Sequence, residues 1–231
     1  MNYITEDFRD FTVQLSSSFK NELKIVHMNA QSLNDSKHFS EFCHIFVESG
    51  IDIIAVSETF YNANSKVKLP GYKVFNINGN NRRGGYVAVY LAEWMDGRVL
   101  ATSTGGSFYP EYVILEVKTN KCMMLFCCIY RPPKIGHLDV FADDLEKFMI
   151  SYKYTVVCGD INARLGSGAD ETTIIENILY NHNLTILPLE ATYHTSHCDT
   201  KLDIIASNCN DLIVDFGQRP APGFSSNDLI G

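Results

Sequence analysis

The chain has no apolar run approaching the roughly 18 residues that a membrane span needs. Its first twenty residues, MNYITEDFRDFTVQLSSSFK, are too polar for a secretory signal. A soluble, non-secreted protein with no membrane partner is expected. A disulfide framework is also missing: the seven cysteines are an odd number, and most lie inside apolar runs such as LFCCIY and VVCGD. There they suit reduced thiols packed as small hydrophobes, which favours an intracellular compartment. Positive charge is scarce, with 19 Lys and Arg against 27 Asp and Glu and a net charge of −8. That excludes a generic nucleic-acid-coating surface, which depends on basic patches. A sum of charges still leaves room for a local basic rim beside an acidic site. The segment YHTSHCD has two histidines and a cysteine but no second ligand pair at structural-zinc spacing, so it reads as a plain surface loop. Internal repeats and low-complexity segments do not occur.

What is present is enough for one sizeable core: 231 residues, 45% hydrophobic and 12% aromatic, read as a single domain. Residues 1–22 mix polar and aromatic side chains without a clear period and read as an N-terminal extension or a short helix. The domain proper is expected over 23–231. LKIVHMN reads as a first buried strand, SKHFSEFCHIFVESG as an amphipathic helix closed by Gly50, and IDIIAVSE as a second buried strand. YKVFNI, GYVAVYLA, YVILEV and KCMMLFCCIY follow as consecutive antiparallel strands. HLDVFADDLEKFMISY is expected to be a helix, YTVVCGD a strand and ETTIIENILYNHN a helix. Short strands at LTILP, KLDIIAS and LIVDFG complete the pattern. Strand-rich halves with helices between them suggest an α/β fold of two packed sheets with helices outside.

The informative pattern is where single polar residues end or interrupt the apolar runs. Asn29 ends the first strand, Glu58 ends the second, Asp160 and Asn162 end YTVVCGDIN, and Asp203 sits inside KLDIIAS. Each alone has a bland explanation, since Asn and Asp start turns and a lone Glu is usually solvated. Together they converge on one rim of a sheet. Glu, Asp and Asn oxygens without matched His or Cys spacing are hard ligands that suit Mg²⁺ or Mn²⁺ rather than zinc.

IVHMNAQSL, VSETF, RRGGYVAVY, CCIYRPP, VVCGDINAR, ATYHT, TKLDIIAS and SSNDLI occur in this order. In that order the chain resembles the exonuclease III-like, or apurinic-endonuclease-like, phosphodiesterases of the endonuclease/exonuclease/phosphatase superfamily. It is most similar to the endonuclease domains of non-LTR retrotransposon proteins. The resemblance spans Leu23 to Gly231. It implies a deoxyribonuclease-like, four-layered α/β sandwich of two mostly antiparallel sheets flanked by helices. It also implies an Mg²⁺- or Mn²⁺-dependent hydrolase that nicks double-stranded DNA in the nucleus, leaving a 3′-hydroxyl that primes reverse transcription. The chain is expected to be a domain excised from a longer polyprotein that carries the reverse transcriptase.

By the same resemblance Glu58 is the main metal ligand with Asn29 beside it. Asp160 orients or deprotonates the attacking water, Asn162 donates to a phosphate oxygen, and Tyr130 places its hydroxyl near the phosphate. Thr192 matches a threonine near the phosphate or metal site, and Asp203 matches an aspartate that pairs with the catalytic histidine. Arg131, Arg164, Lys134, Arg82, Arg83 and Arg219 are candidates for a basic rim touching DNA phosphates, with Ser226 beside them.

One position departs from the family pattern. Aligned on DLI, the family's closing histidine falls on Asn227, after Ser226, and no histidine occurs beyond His197. Asparagine can donate to a phosphate but cannot become cationic or exchange a proton near neutral pH. Impaired nicking is therefore expected. Two alternatives stand beside the nicking enzyme. One is a repair apurinic endonuclease, or a phosphatase of inositol lipids or sphingomyelin, on the same fold. The other is an inert DNA-binding domain.

Overall fold

The computed structural model describes residues 3–77, 85–103, 109–133, 137–165, 168, 170–221 and 224–231. The chain begins with α1 (Tyr3–Ser18), β1 (Ile25–Asn29), α2 (Ser36–Phe46) and β2 (Ile53–Ser57). A strand-rich stretch follows: β3 (Tyr72–Asn76), β4 (Val87–Ala92), β5 (Asp96–Thr102), β6 (Glu111–Lys118) and β7 (Met123–Tyr130). Then come α3 (Asp139–Met149), β8 (Tyr154–Asp160), α4 (Asp170–Asn181) and β9 (Thr185–Ile186). The last part holds β10 (Tyr193–His194), β11 (Asp199–Thr200), β12 (Asp203–Ser207), β13 (Gln218–Arg219) and β14 (Leu229–Ile230).

Two six-stranded sheets result, ordered β13-β14-β1-β2-β4-β3 and β5-β6-β7-β8-β12-β9, with β10 and β11 as a separate hairpin. Within the six-stranded sheets only β1–β2 and β7–β8 pair in parallel, each across a crossover that contains a helix. Both sheets are covered on both faces, which is why β2, β4 and β8 are almost continuously apolar rather than alternating. On the first sheet Phe42, Ile45 and Phe46 of α2 pack inward, the Phe42 ring 5.2 Å from that of Tyr90. On the second, Phe141 and Leu145 of α3 and Ile175 and Leu179 of α4 pack against Leu125, Cys127, Val157 and Ile204. Between them β1 and β2 face β7 and β8. This is the four-layered sandwich expected from the sequence.

Local chemistry sets the boundaries. Asp35 caps α2, accepting from the backbone N–H of Lys37 and of His38 at 3.0 Å each. The helix stops at Phe46, earlier than the expected Gly50: Val47 is extended and Glu48 turns left-handed before Gly50 does. Residues 3–18, within the segment read as an extension or short helix, form α1. That helix docks on α2 through buried Phe8 and through Thr12, whose hydroxyl donates to the Ile45 carbonyl.

Three sequence expectations are corrected. The four strands taken as consecutive belong to two sheets: β3 and β4 pair in the first, while β6 and β7 pair in the second. The strand between them, β5, went unread because it is an edge strand with a bulge between Val99 and Ala101 that breaks its alternation. LIVDFG is not a strand. Leu212 closes a short 3-10 turn, and Leu212, Val214 and Phe216 point outward at 56%, 66% and 41% exposure. Pairing begins only at Gly217, which exchanges backbone hydrogen bonds with Gly231.

Candidate active site

Strand register brings the polar strand ends to one rim. Asn29 lies opposite Ser57, Tyr130 opposite Asp160, and Asp160 opposite Asp203. Sheet-to-sheet packing then joins the two halves: Asn29 Nδ2 of β1 donates to Asp160 Oδ2 of β8 at 2.8 Å. The other Asp160 oxygen accepts the Asn162 backbone N–H at 2.9 Å. Asp203 Oδ2 accepts from Asn227 Nδ2 at 2.8 Å, and Asn227 itself is held by a bridge to Tyr193. The Glu58 carboxylate lies within hydrogen-bonding reach of the Tyr130 hydroxyl and holds that phenol in its protonated form, after burial as the larger cause. Asn29, Glu58, Tyr130, Asp160, Asn162, Asp203 and Asn227 thus share one site at the junction of the sheets.

The loops around this rim are unusual in their backbone. Gln31, Ser32, Glu58, Phe60, Tyr86 and Asn162 all have positive φ, a region that non-glycine residues rarely occupy. Continued ladder bonds hold them there: Ser32 N–H to the Glu58 carbonyl at 2.8 Å, Leu33 to Thr59 at 2.9 Å, and Phe60 to Gly85 at 2.8 Å. Gly85 is a steric necessity, because a Cβ there would lie 2.4 Å from Cε1 of the Tyr130 ring.

Electrostatics follow from burial. Asp160 is 1% exposed, and desolvation pushes its carboxyl up to about 7 against the opposing donors Asn29 and Asn162. Asp203 is also pushed well above the carboxylate range by burial, then by the Asp160 charge, while Asn227 and Thr192 pull the other way. Glu111 is raised by burial and by Glu58, and its carboxylate accepts the Tyr86 backbone N–H. Burial pushes His27, beneath the rim, down to about 3, which leaves it neutral.

Thr192 is buried, and its Oγ1 accepts the backbone N–H of Leu202 and of Asp203 at 3.1 and 3.0 Å. It braces Asp203 rather than facing outward. Asn162 turns its side-chain amide to the Arg131 carbonyl at 3.0 Å. Arg131 corrects the basic-rim expectation. Its side chain is fully buried and donates to the Ile161 carbonyl at 3.1 Å, because the guanidinium is needed to satisfy the turn after β8. Arg219 is exposed but lies over the Phe11 ring of α1, its guanidinium carbon 5.3 Å from the centroid. Arg164 and Ser226 are exposed. Arg82, Arg83 and Lys134 lie outside the described residues. The YHTSHCD segment forms the β10–β11 hairpin, in which His194 bridges Asp199 at 2.8 Å and Asp228 at 3.3 Å.

Sequence reasoning missed Glu111, Gly85 and His27. Glu111 begins β6 opposite Tyr130, a register that becomes visible only once the sheet order is known. Among the described residues no three His, Cys, Asp or Glu side chains are placed to hold a metal. The Glu58 carboxylate is partly exposed, and the Asn29 amide oxygen on the neighbouring strand, which also accepts the Gln31 backbone N–H at 3.0 Å, is a second oxygen donor. That set fits an Mg²⁺ or Mn²⁺ ion, which binds through one or two carboxylates and keeps its waters.

Several solved structures are similar to this fold. The endonuclease domain of TRAS1, a telomere-specific non-LTR retrotransposon, matches with a TM-score of 0.68 at 13% identity, over 89% of this chain and 94% of that one. An endonuclease/exonuclease/phosphatase family protein from Leptotrichia buccalis matches with a TM-score of 0.64 at 14% identity, over 90% and 98% of the two chains. The 3′ phosphatase NExo from Neisseria, bound to a product DNA hairpin, also gives 0.64, at 13% identity over 90% and 98%. No protein-family model and no curated protein matches the chain. At these identities the likeness establishes a shared fold.

Proposed function

We propose that this chain is a metal-dependent phosphodiesterase of the endonuclease/exonuclease/phosphatase type that nicks double-stranded DNA in the nucleus. In this reading it is the endonuclease of a non-LTR retrotransposon, joined in the full-length protein to a reverse transcriptase. The observation that carries the proposal is the cross-sheet pair Asn29–Asp160 beside Glu58 and Tyr130, a buried carboxylate held at the mouth of an oxygen-donor site. The likeness to the TRAS1 endonuclease domain and to a DNA-bound phosphatase supports the choice of DNA.

Glu58 and Asn29 would hold Mg²⁺ or Mn²⁺, which supplies charge stabilisation to the scissile phosphate and the leaving oxygen. Asp160, with its carboxyl near 7, is matched to accepting a proton from water near neutral pH. Its orientation is fixed by Asn29 and by the Asn162 backbone. The Tyr130 hydroxyl, kept protonated by its surroundings, would turn from Glu58 to donate to a phosphate oxygen. Asn162 reaches the phosphate by releasing the Arg131 carbonyl.

Asn227 occupies the place of an acid-base group and cannot carry charge. Loss of such a group costs on the order of 10² to 10⁴ in rate, so the chain binds metal and DNA but nicks slowly. Nicking of supercoiled plasmid with Mg²⁺ is therefore expected to accelerate in Asn227→His. Equal rates for the two chains would remove position 227 from the chemistry. Faster cleavage of abasic than of intact duplex would favour the repair reading.

A further inference from the structure

Beneath the mouth of the site lies a buried polar contact that the proposed chemistry does not use. His27 is in the middle of β1, fully buried, with Nδ1 facing Asp203 Oδ1 at 3.6 Å. These two atoms are complementary, and among the described residues neither has a hydrogen-bond partner. On its far side His27 Nε2 lies 3.2 Å from Ser57 Oγ, the side chain immediately before Glu58. Asn227 donates to Oδ2 and the Thr192 hydroxyl also acts on the carboxyl, while Oδ1 faces the imidazole. A separation of 3.6 Å is longer than a well-formed hydrogen bond. Both side chains are fully buried, so bulk water does not compete for either atom.

We propose that His27 is a positioning residue for Asp203: its Nδ1–H donates to Asp203 Oδ1 while Ser57 Oγ–H donates to Nε2. The imidazole partner of the aspartate then comes from β1, on the floor of the site, instead of from the closing segment that carries Asn227. A continuous chain of side chains, Asn227, Asp203, His27 and Ser57, links the closing segment to the strand that presents Glu58. The arrangement gives Oδ1 a donor of its own, holds the carboxyl from both sides, and favours its ionised form against the burial that raises it. The consequence for catalysis rests on the phosphodiesterase reading; the geometry does not.

The test has two arms so that the two can fail separately. The first is long-range ¹H–¹⁵N correlation of the histidine rings in the unmodified chain. The expected result is a neutral His27 with the proton on Nδ1. In Asp203→Asn the amide oxygen stays with Asn227 and the amide nitrogen turns to the ring, so the proton moves to Nε2. An Nε2–H ring in the unmodified chain, or a tautomer indifferent to Asp203→Asn, overturns the proposal whether or not the protein cleaves DNA. The second arm measures plasmid nicking in the Asn227→His background. There His27→Leu is expected to lower kcat about 10- to 100-fold, the range for residues that orient a functional group by hydrogen bonding, with KM little changed. His27→Asn, whose amide nitrogen reaches the Nδ1 position, restores most of it. Equal kcat for His27→Leu and the parent overturns the positioning role. Absence of nicking in the parent itself counts against the phosphodiesterase reading and leaves the ring spectrum to decide His27.

Discussion

Replacing Asp160 by asparagine should change the pH dependence of stability in a direction opposite to that of an ordinary paired aspartate. The carboxyl has an ordinary value of 3.8 and is pushed up to about 7 when folded. The folded state therefore binds more protons than the unfolded state between those values, and stability falls as pH rises through the window. Because the group is 1% exposed, solvent screening does not reduce the effect. At about 1.4 kcal/mol for each tenfold change in proton affinity, this one group removes roughly 2–3 kcal/mol between pH 5 and pH 8. Asp160→Asn abolishes that titration and removes the charge that helps raise Asp203, a change in the same direction. It also leaves the Asn29 amide and the Asn162 N–H competing for a single oxygen, a fixed cost of about 1–3 kcal/mol that does not vary with pH. Urea unfolding with EDTA present, for both chains across pH 5–8, isolates the difference. The variant should gain on the unmodified chain by roughly 2–3 kcal/mol as pH rises. A difference that stays constant across this range would refute the claim that Asp160 is held with a raised pKa.

Other outcomes follow from particular contacts. Millimolar Mg²⁺ should raise the melting temperature of the unmodified chain and leave Glu58→Gln unshifted; an equal shift in both would move the metal away from Glu58. Gly85→Ala forces a methyl into the Tyr130 ring and should cost about 1–3 kcal/mol in chemical denaturation. Arg131→Ala should lower stability while leaving the salt dependence of DNA binding intact, because its guanidinium is spent on the Ile161 carbonyl. Arg164→Ala should keep stability and reduce the salt slope by about 1. The reverse pattern, read by denaturation and by fluorescence binding at several salt concentrations, would exchange their roles.

The parts of the fold that were legible in the sequence are those where burial writes a strong local pattern. β1, β2, β4 and β8 are sealed on both faces, so their apolar runs stand out and so do the polar residues that end them, Asn29, Glu58 and Asp160. Edge structure was less legible. β5 has a bulge and mixed exposure, and the apolar residues Leu212, Val214 and Phe216 look like a strand yet face outward, with no ladder partner among the described residues. Site residues that depend on long-range pairing could not be read at all. Glu111 matters because β6 sets it opposite Tyr130, and His27 because the interior of one sheet faces Asp203 of the other. Arg131 shows the converse error: an arginine next to a motif looked like a phosphate contact, whereas the turn after β8 had already claimed it.

The proposed function makes this rim a metal-dependent centre for phosphodiester hydrolysis in DNA, blunted at position 227. Its most direct test is a time course of supercoiled plasmid incubated with Asn227→His in millimolar Mg²⁺, with EDTA and Glu58→Gln controls in the same background. Each nick is scored for resealing by DNA ligase, which needs a 3′-hydroxyl. The expected result is ligatable nicks that require both Mg²⁺ and Glu58, formed on the order of 10² to 10⁴ times faster than by the unmodified chain. A folded, Mg²⁺-binding Asn227→His protein that produces no nicks, or nicks equally well in EDTA, would contradict it.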